Sequence, residues 1–523
     1  MIIQKNTRLL KGLFGGMAVA SVLTFGGCTD KFEELNTNQT KLTTLGTNEY
    51  PYLFSKAQSA SSYAFWRYQV AQNLFADLYS QYFATTATYF PSDRYVLRMD
   101  WLQWHWQPIY TEVVPQLKTL LDQTDKASSE NALASIMWVY TFHRVTDYYG
   151  PIPYFKAGEP AKTVAYDAQD KIYDDFFKRL DAAVKVLNGK KSEKPYGKFD
   201  LIYAGDVNKW IKFANTLRLR LALRISKADP ARAKTEAEAA VAGGVMADVE
   251  DDALMVKSLA GSDFNGLSGI SVWNEFRMSA SMESVLKGYQ DPRMGIYFQP
   301  ASGTKTYEGL RNGLTPAQLN QPANSNDNNS NVGTRWVAGS GSAWQGQQTT
   351  PQDVMHAAEA YFLRAEGALN GWSMGGTAKD LYEKGIEVSM KQWGFSGAAV
   401  QAYINSTSTP IAPGDGLNSP AMSNIPVRWG STVAMQREQI GTQKWLALYP
   451  DGLEAWAEFR RSRYPKLYPV ANSDNSDVPV GGVLRRIPFL DLEKQTNAAA
   501  VKDAEKLLNG PDKANTPLWW DKN

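Results

Sequence analysis

The chain has 523 residues, 55 basic and 53 acidic side chains for a formal net charge of +2, and 12% aromatic residues including 16 Trp. That length supports a large core, and by itself suggests about three domains of ordinary size. The balanced charge leaves no basic excess for nucleic acid and no charged tail.

The N-terminus carries the first signal. Lys5, Arg8 and Lys11 precede an uncharged stretch from Gly12 to Gly27, made apolar by Leu13, Phe14, Met17, Val19, Val22, Leu23 and Phe25. This is the order of a secretory signal, and it is shorter than the ~20 residues a spanning helix needs. Gly26 and Gly27 are small, as a peptidase requires, and Cys28 follows as the single cysteine of the chain. It has no partner for an intramolecular disulfide, and its thiol is the nucleophile a lipid transferase would use. The expectation is a signal peptide over 1–27, lipid on Cys28, a tether over 28–50 and one domain over 51–523. Phe25 stands where a bacterial lipobox usually has Leu.

Beyond the tether, helical spacing predicts helices over 51–82, 100–123, 130–147, 168–188, 206–226, 230–242, 353–371, 376–392, 432–448 and 451–462. Trp210, Phe213, Ala214, Leu217, Leu221 and Ile225 share one face behind Asp206, a natural N-cap. Val354, Ala358, Tyr361, Phe362, Ala365 and Leu369 share another. Several helices follow one another as pairs joined by short turns: 100–123 with 130–147, 168–188 with 206–226, and 353–371 with 376–392. Helices that cannot bury a face alone stack on their neighbours, as in tetratricopeptide arrays, although no 34-residue consensus is visible. The fold class is mostly α, with such pairs as scaffold. Residues 243–352 read as a loop-rich insertion of low helical content. Residues 300–350, 403–430 and 471–482 are rich in Gly, Asn, Ser or Pro and read as loops.

The familiar catalytic patterns are missing. His105, His143 and His356 are the only histidines; none shares metal-ligand spacing with another, and core or capping roles suit them. No G-x-S-x-G elbow, P-loop or dinucleotide fingerprint occurs. Asp248, Glu250, Asp251 and Asp252, or Asp474 and Asp477, could face calcium, but neither set follows an EF-hand and both read as solvated surface. Paired carboxylates for glycoside hydrolysis are not distinguishable among so many acids, which keeps a lipid-anchored hydrolase as an alternative. No cofactor or metal is expected.

Several segments in order resemble one family. They are YYGPIPY at 148–154, KWIKFANTLRLRLALR at 209–224, DPR at 291–293, AEAYFLRAEGALNGW at 358–372, YEKGIEVSM at 382–390, TQKWLALYPDGLEAWAEFRRSRYP at 442–465, RRIPF at 485–489 and the ending TPLWWDKN. The chain is similar to the SusD/RagB family of nutrient-binding outer-membrane lipoproteins, in its SusD-like second subgroup. The resemblance implies tetratricopeptide-like helix pairs under a loop-built ligand face. It also implies a place on the cell surface, where the protein acts as lid of a SusC-like TonB-dependent transporter. It implies a glycan or a peptide as ligand and no catalysis. Asp30, Glu33 and Glu34 loosely resemble the family's acidic export signal.

Within these motifs, Trp445, Trp456, Tyr361 and Phe362 have core spacing, and Arg218, Arg220 and Arg224 are expected to cover a helix flank or pair with acids. A sugar needs flat apolar faces for its C–H bonds and polar groups for its hydroxyls. Aromatic residues in polar loops meet that need, which selects Tyr89, Phe90, Arg94 and Tyr95, Trp273 and Asn274, and Trp336 and Trp344. Trp101, Trp104 and Trp106 lie at helical spacing, which places at least Trp106 in the core.

Overall fold

The computed structural model describes residues 46–338 and 347–523; the signal segment, Cys28 and Trp344 lie outside them. The predicted helices form in order. Helix α1 spans Tyr50–Ser61, and α2 starts at Trp66–Tyr68 and continues as a π-helix over Gln69–Asp77. Helix α3 (Met99–Pro108) runs through a π-turn at Ile109–Val113 into α4 (Val114–Gln123). Then come α5 (Ser129–Tyr149), α6 (Gln169–Asn188), α7 (Val207–Arg224) and α8 (Pro230–Ala242). From α4 to α8 each packs on the next; α6 does so through one apolar stripe, whereas α5 and α7 are buried on most sides. Asp206 caps α7 as expected, accepting from the backbone N–H groups of Asn208 at 3.0 Å and Lys209 at 3.3 Å. Residues Tyr50–Asn523 form one compact unit.

The helical reading of 51–82 needs one correction. The chain leaves the helix at Ser62–Phe65, where Tyr63 and Phe65 adopt left-handed backbone, φ 51° and 53°. Tertiary anchors explain the break. Tyr63 is buried and donates its hydroxyl to the His105 carbonyl at 3.0 Å, while the Phe65 N–H reaches the Phe264 carbonyl.

The segment 243–352 is more ordered than its loop-rich composition suggests. It holds β2 (Ala253–Met255), α9 (Gly266–Ser271), β3 (Phe276–Met278) and α10 (Ala280–Gly288). Every residue of α10 except Lys287 is buried. Gly288 explains part of that fit, since a Cβ there would collide with the backbone of Thr409 and Pro410. Strand β3 pairs antiparallel with β1 (Phe83–Thr85), with Phe83 opposite Met278 and Thr85 opposite Phe276. Strand β4 (Gln352–Met355) pairs with β2, so the helix expected over 353–371 starts only at Ala357.

That helix, α11 (Ala357–Leu369), packs on α12 (Ala378–Gln392) and on α13 (Val433–Leu448), which leads into α14 (Gly452–Ser462). Trp445, Trp456 and Phe362 are buried as their spacing requires; Tyr361 is only half-buried. The arginines of α7 find the acids foreseen for them. Arg220 pairs with Glu359 at 2.6 Å, Arg224 with Glu454 at 2.5 Å, and Arg218 with Glu236 at 2.6 Å.

Candidate functional site

The β1–β3 pairing brings two distant loops together. Beyond β1, the Thr86 N–H donates to the Glu275 carbonyl at 3.0 Å and its hydroxyl donates to the Asn274 carbonyl at 2.9 Å. Residues 86–90 therefore lie alongside 273–275. Tyr89 stands out from this junction, 65% exposed. Its hydroxyl donates to the Glu275 carboxylate, which also accepts from the Gln69 side chain. Partial desolvation, and then this bond to Glu275, push the Tyr89 phenol up to about 12. It therefore stays a neutral donor.

Two aromatic groups flank Glu275. On the Tyr89 side, Phe90 lies 4.6 Å from Tyr89 between ring centroids and 5.5 Å from Trp101, and the Arg98 guanidinium covers Trp101 at 4.3 Å. On the Gln69 side, Phe65 meets Phe264 at 4.7 Å and Trp273 at 6.0 Å, and its neighbour Trp66 meets Trp104 at 4.8 Å. Trp66 is 39% exposed, and Trp101, Trp104 and Trp273 are half-buried. Asn274 is exposed, with φ 59°, and its side-chain oxygen accepts from Arg277 at 2.8 Å. Flat ring faces beside amide and carboxylate groups are what a carbohydrate or an aromatic peptide can rest on.

Of the residues singled out in the sequence, Tyr89, Trp273 and Asn274 lie on this face. Arg94 does not lie open to a ligand. It is buried, pairs with Asp474 at 2.7 Å and donates to the Leu314 carbonyl at 3.2 Å, so it braces the 471–482 loop. Tyr95 adopts φ 66° and lies edge-on to Tyr79 at 5.6 Å, and burial raises its phenol. Trp336 is 1% exposed and packs against Trp393 and Tyr449, so its ring has no open face and belongs to the core.

Trp66 and Glu275 join the face without having been singled out, and so do Trp101 and Trp104, which their helical spacing had set apart from the loop aromatics. One signal for the α3 pair was legible. Trp101 and Trp104 are three apart on a helix and share a side, which Trp106 does not, and Trp106 is the one the core takes.

None of the three histidines belongs to this face. His105 is buried, stacked on Tyr148 at 3.9 Å, and held well below its usual range, first by burial and then by Arg144. His143 is buried and pushed down likewise, by burial and then by Arg220. Burial lowers His356 too, but Asp252 and Asp353 raise it to about 10, so it is a fixed cation. Among the described residues no three His, Cys, Asp or Glu could hold a metal ion, and no helix is long and apolar enough to cross a membrane. A cavity of about 600 Å³ lies elsewhere, lined by Trp372, Arg437, Tyr464, the half-buried Glu366 and the buried Glu458 and Arg461. Those charges already pair with one another, at 2.5 Å in both the Arg461–Glu366 and Arg461–Glu458 contacts.

A family model described as SusD-like, the Susd and RagB outer membrane lipoproteins, matches residues 30–521. Solved structures agree. A chitin-binding SusD homologue from Flavobacterium johnsoniae is 36% identical, with a TM-score of 0.84 over 91% of this chain and 99% of its own. A SusD-like protein from Bacteroides thetaiotaomicron VPI-5482 is 34% identical, with a TM-score of 0.82 over 91% of this chain and 99% of its own. A further chitin-binding protein is 29% identical, with a TM-score of 0.75 over 91% and 100%. No curated protein matches the sequence.

Proposed function

From the premise that the chain belongs to the SusD and RagB family of outer-membrane lipoproteins, we propose that it is a non-enzymatic receptor for an oligosaccharide. The ligand class best supported is a glycan of the chitin type. The observation that carries this reading is the aromatic face of Tyr89, Trp101, Trp66, Trp104 and Trp273, with Asn274 and Glu275 set among the rings. Two structural relatives being chitin-binding proteins supports the same class. Stacked rings hold sugar C–H faces at low entropic cost, and few polar groups are needed to set orientation. The receptor would pass its ligand to a SusC-like TonB-dependent transporter, over which it serves as lid, while lipid on Cys28 holds it at the outer membrane.

Calorimetric titration of the protein lacking residues 1–28 with N-acetylated chito-oligosaccharides tests this. The expected result is saturable binding with no new reducing ends. Release of reducing ends, abolished by a single carboxylate substitution, would establish a hydrolase instead. Binding of peptides but of no glycan would establish the peptide-receptor alternative. Co-purification with a large β-barrel protein in mild detergent is the expected sign of the lid role.

A further inference from the structure

Of the acids named around the aromatic face, Glu275 alone has no cationic partner. Arg98 pairs with Asp100 at 2.6 Å, and Lys257 with Asp263 at 3.2 Å. Arg67 and Lys56 share Glu112, each at 2.5 Å, beside Trp66 and Trp104. Arg277, two residues along from Glu275, is turned into the protein, where it donates to the Asn326 carbonyl at 3.1 Å and the Asn274 side chain at 2.8 Å. Glu275 accepts only from Tyr89 and Gln69, both neutral donors, and among the described residues no Lys or Arg comes within ion-pairing distance of it. A carboxylate has roughly four acceptor positions, and two are used here. It is half-buried, between the two aromatic groups.

We propose that Glu275 is a specificity-determining residue that selects glycans carrying free amino groups, so that the preferred ligand is a glucosamine-containing, partly deacetylated chain. The inference rests on the receptor reading. An ammonium placed on this face gains a charge-assisted hydrogen bond to the unpaired carboxylate and attraction to the negative faces of the neighbouring rings. A neutral sugar hydroxyl can donate to the same carboxylate but brings no positive charge of its own, so it gains less, and a uronic acid is repelled.

The test is calorimetric titration of the wild-type protein and of Glu275→Gln, below the pKa of the sugar amine. The probes are an N-acetylated chito-oligosaccharide, its deacetylated counterpart of equal length, and an oligogalacturonate. The deacetylated chain should bind roughly fivefold more tightly than the acetylated one, the scale of one partly exposed ion pair. That preference should shrink with added salt and vanish in Glu275→Gln, to which the acetylated and deacetylated chains should bind with equal affinity. Tyr89→Phe keeps the carboxylate and should keep the preference, which guards against a general disturbance of the face. Equal wild-type affinity for the two chains, or a preference that survives Glu275→Gln, would overturn the inference while leaving the receptor reading standing. Failure of the wild-type protein to bind any of the three glycans would overturn both.

Discussion

At the scale of single residues, two tryptophans take roles opposite to those their sequence surroundings suggest, Trp101 at helical spacing and Trp336 in a polar loop. Trp101 is half-buried with Arg98 over its ring, whereas Trp336 is enclosed by Trp393 and Tyr449. Trp101→Ala is expected to weaken glycan affinity about tenfold, a little over 1 kcal/mol, with the melting temperature nearly unchanged. Trp336→Ala should instead lower stability by about 3–5 kcal/mol, read by urea unfolding, because a large buried ring leaves a cavity. A Trp336→Ala protein that is fully stable but blind to glycan would reverse the two roles. His356 makes a second test at this scale. Its Nδ1 lies 3.1 Å from Asp252 and its Nε2 lies 3.2 Å from Asp353, and its folded value of about 10 exceeds the unfolded value. The native state therefore binds the extra proton, so the stabilisation is complete below about 6.5 and is lost as pH climbs toward that folded value. Calorimetric melting should show the wild-type protein losing stability across this alkaline window, with His356→Gln less stable near neutrality and flatter above it. An unchanged slope in the variant would count against the clamp. Part of the candidate site was legible in the sequence at this scale. Tyr89, Trp273 and Asn274 betrayed themselves as aromatic or polar residues in turn-rich loops. Glu275 could not, since its value comes from Tyr89 and Gln69, remote in sequence, converging on one carboxylate.

At the scale of elements, the helices obey local rules and the exceptions obey tertiary ones. Apolar spacing and the Asp206 cap were sufficient to find α7, and the short turns were sufficient to pair it with its neighbours. The strands were out of reach because β1 and β3 have three residues each, too few to show alternation, and pair across nearly two hundred residues of chain. The break after α1 was hidden for the same reason: Tyr63 is held by His105, not by its own neighbours. What ties α7 to α11 is the Arg220–Glu359 pair, 2.6 Å apart with both side chains at most 2% exposed. Removing one partner strands the other charge in the core, so Glu359→Gln should cost about 3–5 kcal/mol in urea unfolding. Replacing both with Met should cost clearly less than that, since neither charge of the pair is then left without the other, and Glu454 keeps Arg224 at 2.5 Å. A double variant as unstable as the single one would mean that the pair does more than neutralise itself.

At the scale of the whole molecule, the proposed ligand face and the proposed lipid site at Cys28 belong to separate parts of the chain. The aromatic face is built entirely within the compact unit Tyr50–Asn523, and Cys28 precedes that unit. The family is one of outer-membrane lipoproteins, so attachment is by lipid. A single acyl chain holds a protein only reversibly, and stable anchoring takes two or more chains or a second attachment. This makes anchoring and binding independently removable. Cys28→Ser should shift the exported protein from the membrane fraction to the soluble fraction in cells lacking the partner transporter. The released protein should bind chito-oligosaccharide with wild-type affinity, because none of the residues at the face depends on the lipid. In cells that keep the transporter, part of the variant should stay with the membrane if the proposed lid contact supplies the second attachment. Retention of Cys28→Ser on membranes without the transporter would show that lipid on that cysteine is not the anchor. Release accompanied by loss of glycan binding would show that anchor and face are coupled, and that the face is completed only where the chain meets the membrane or its partner.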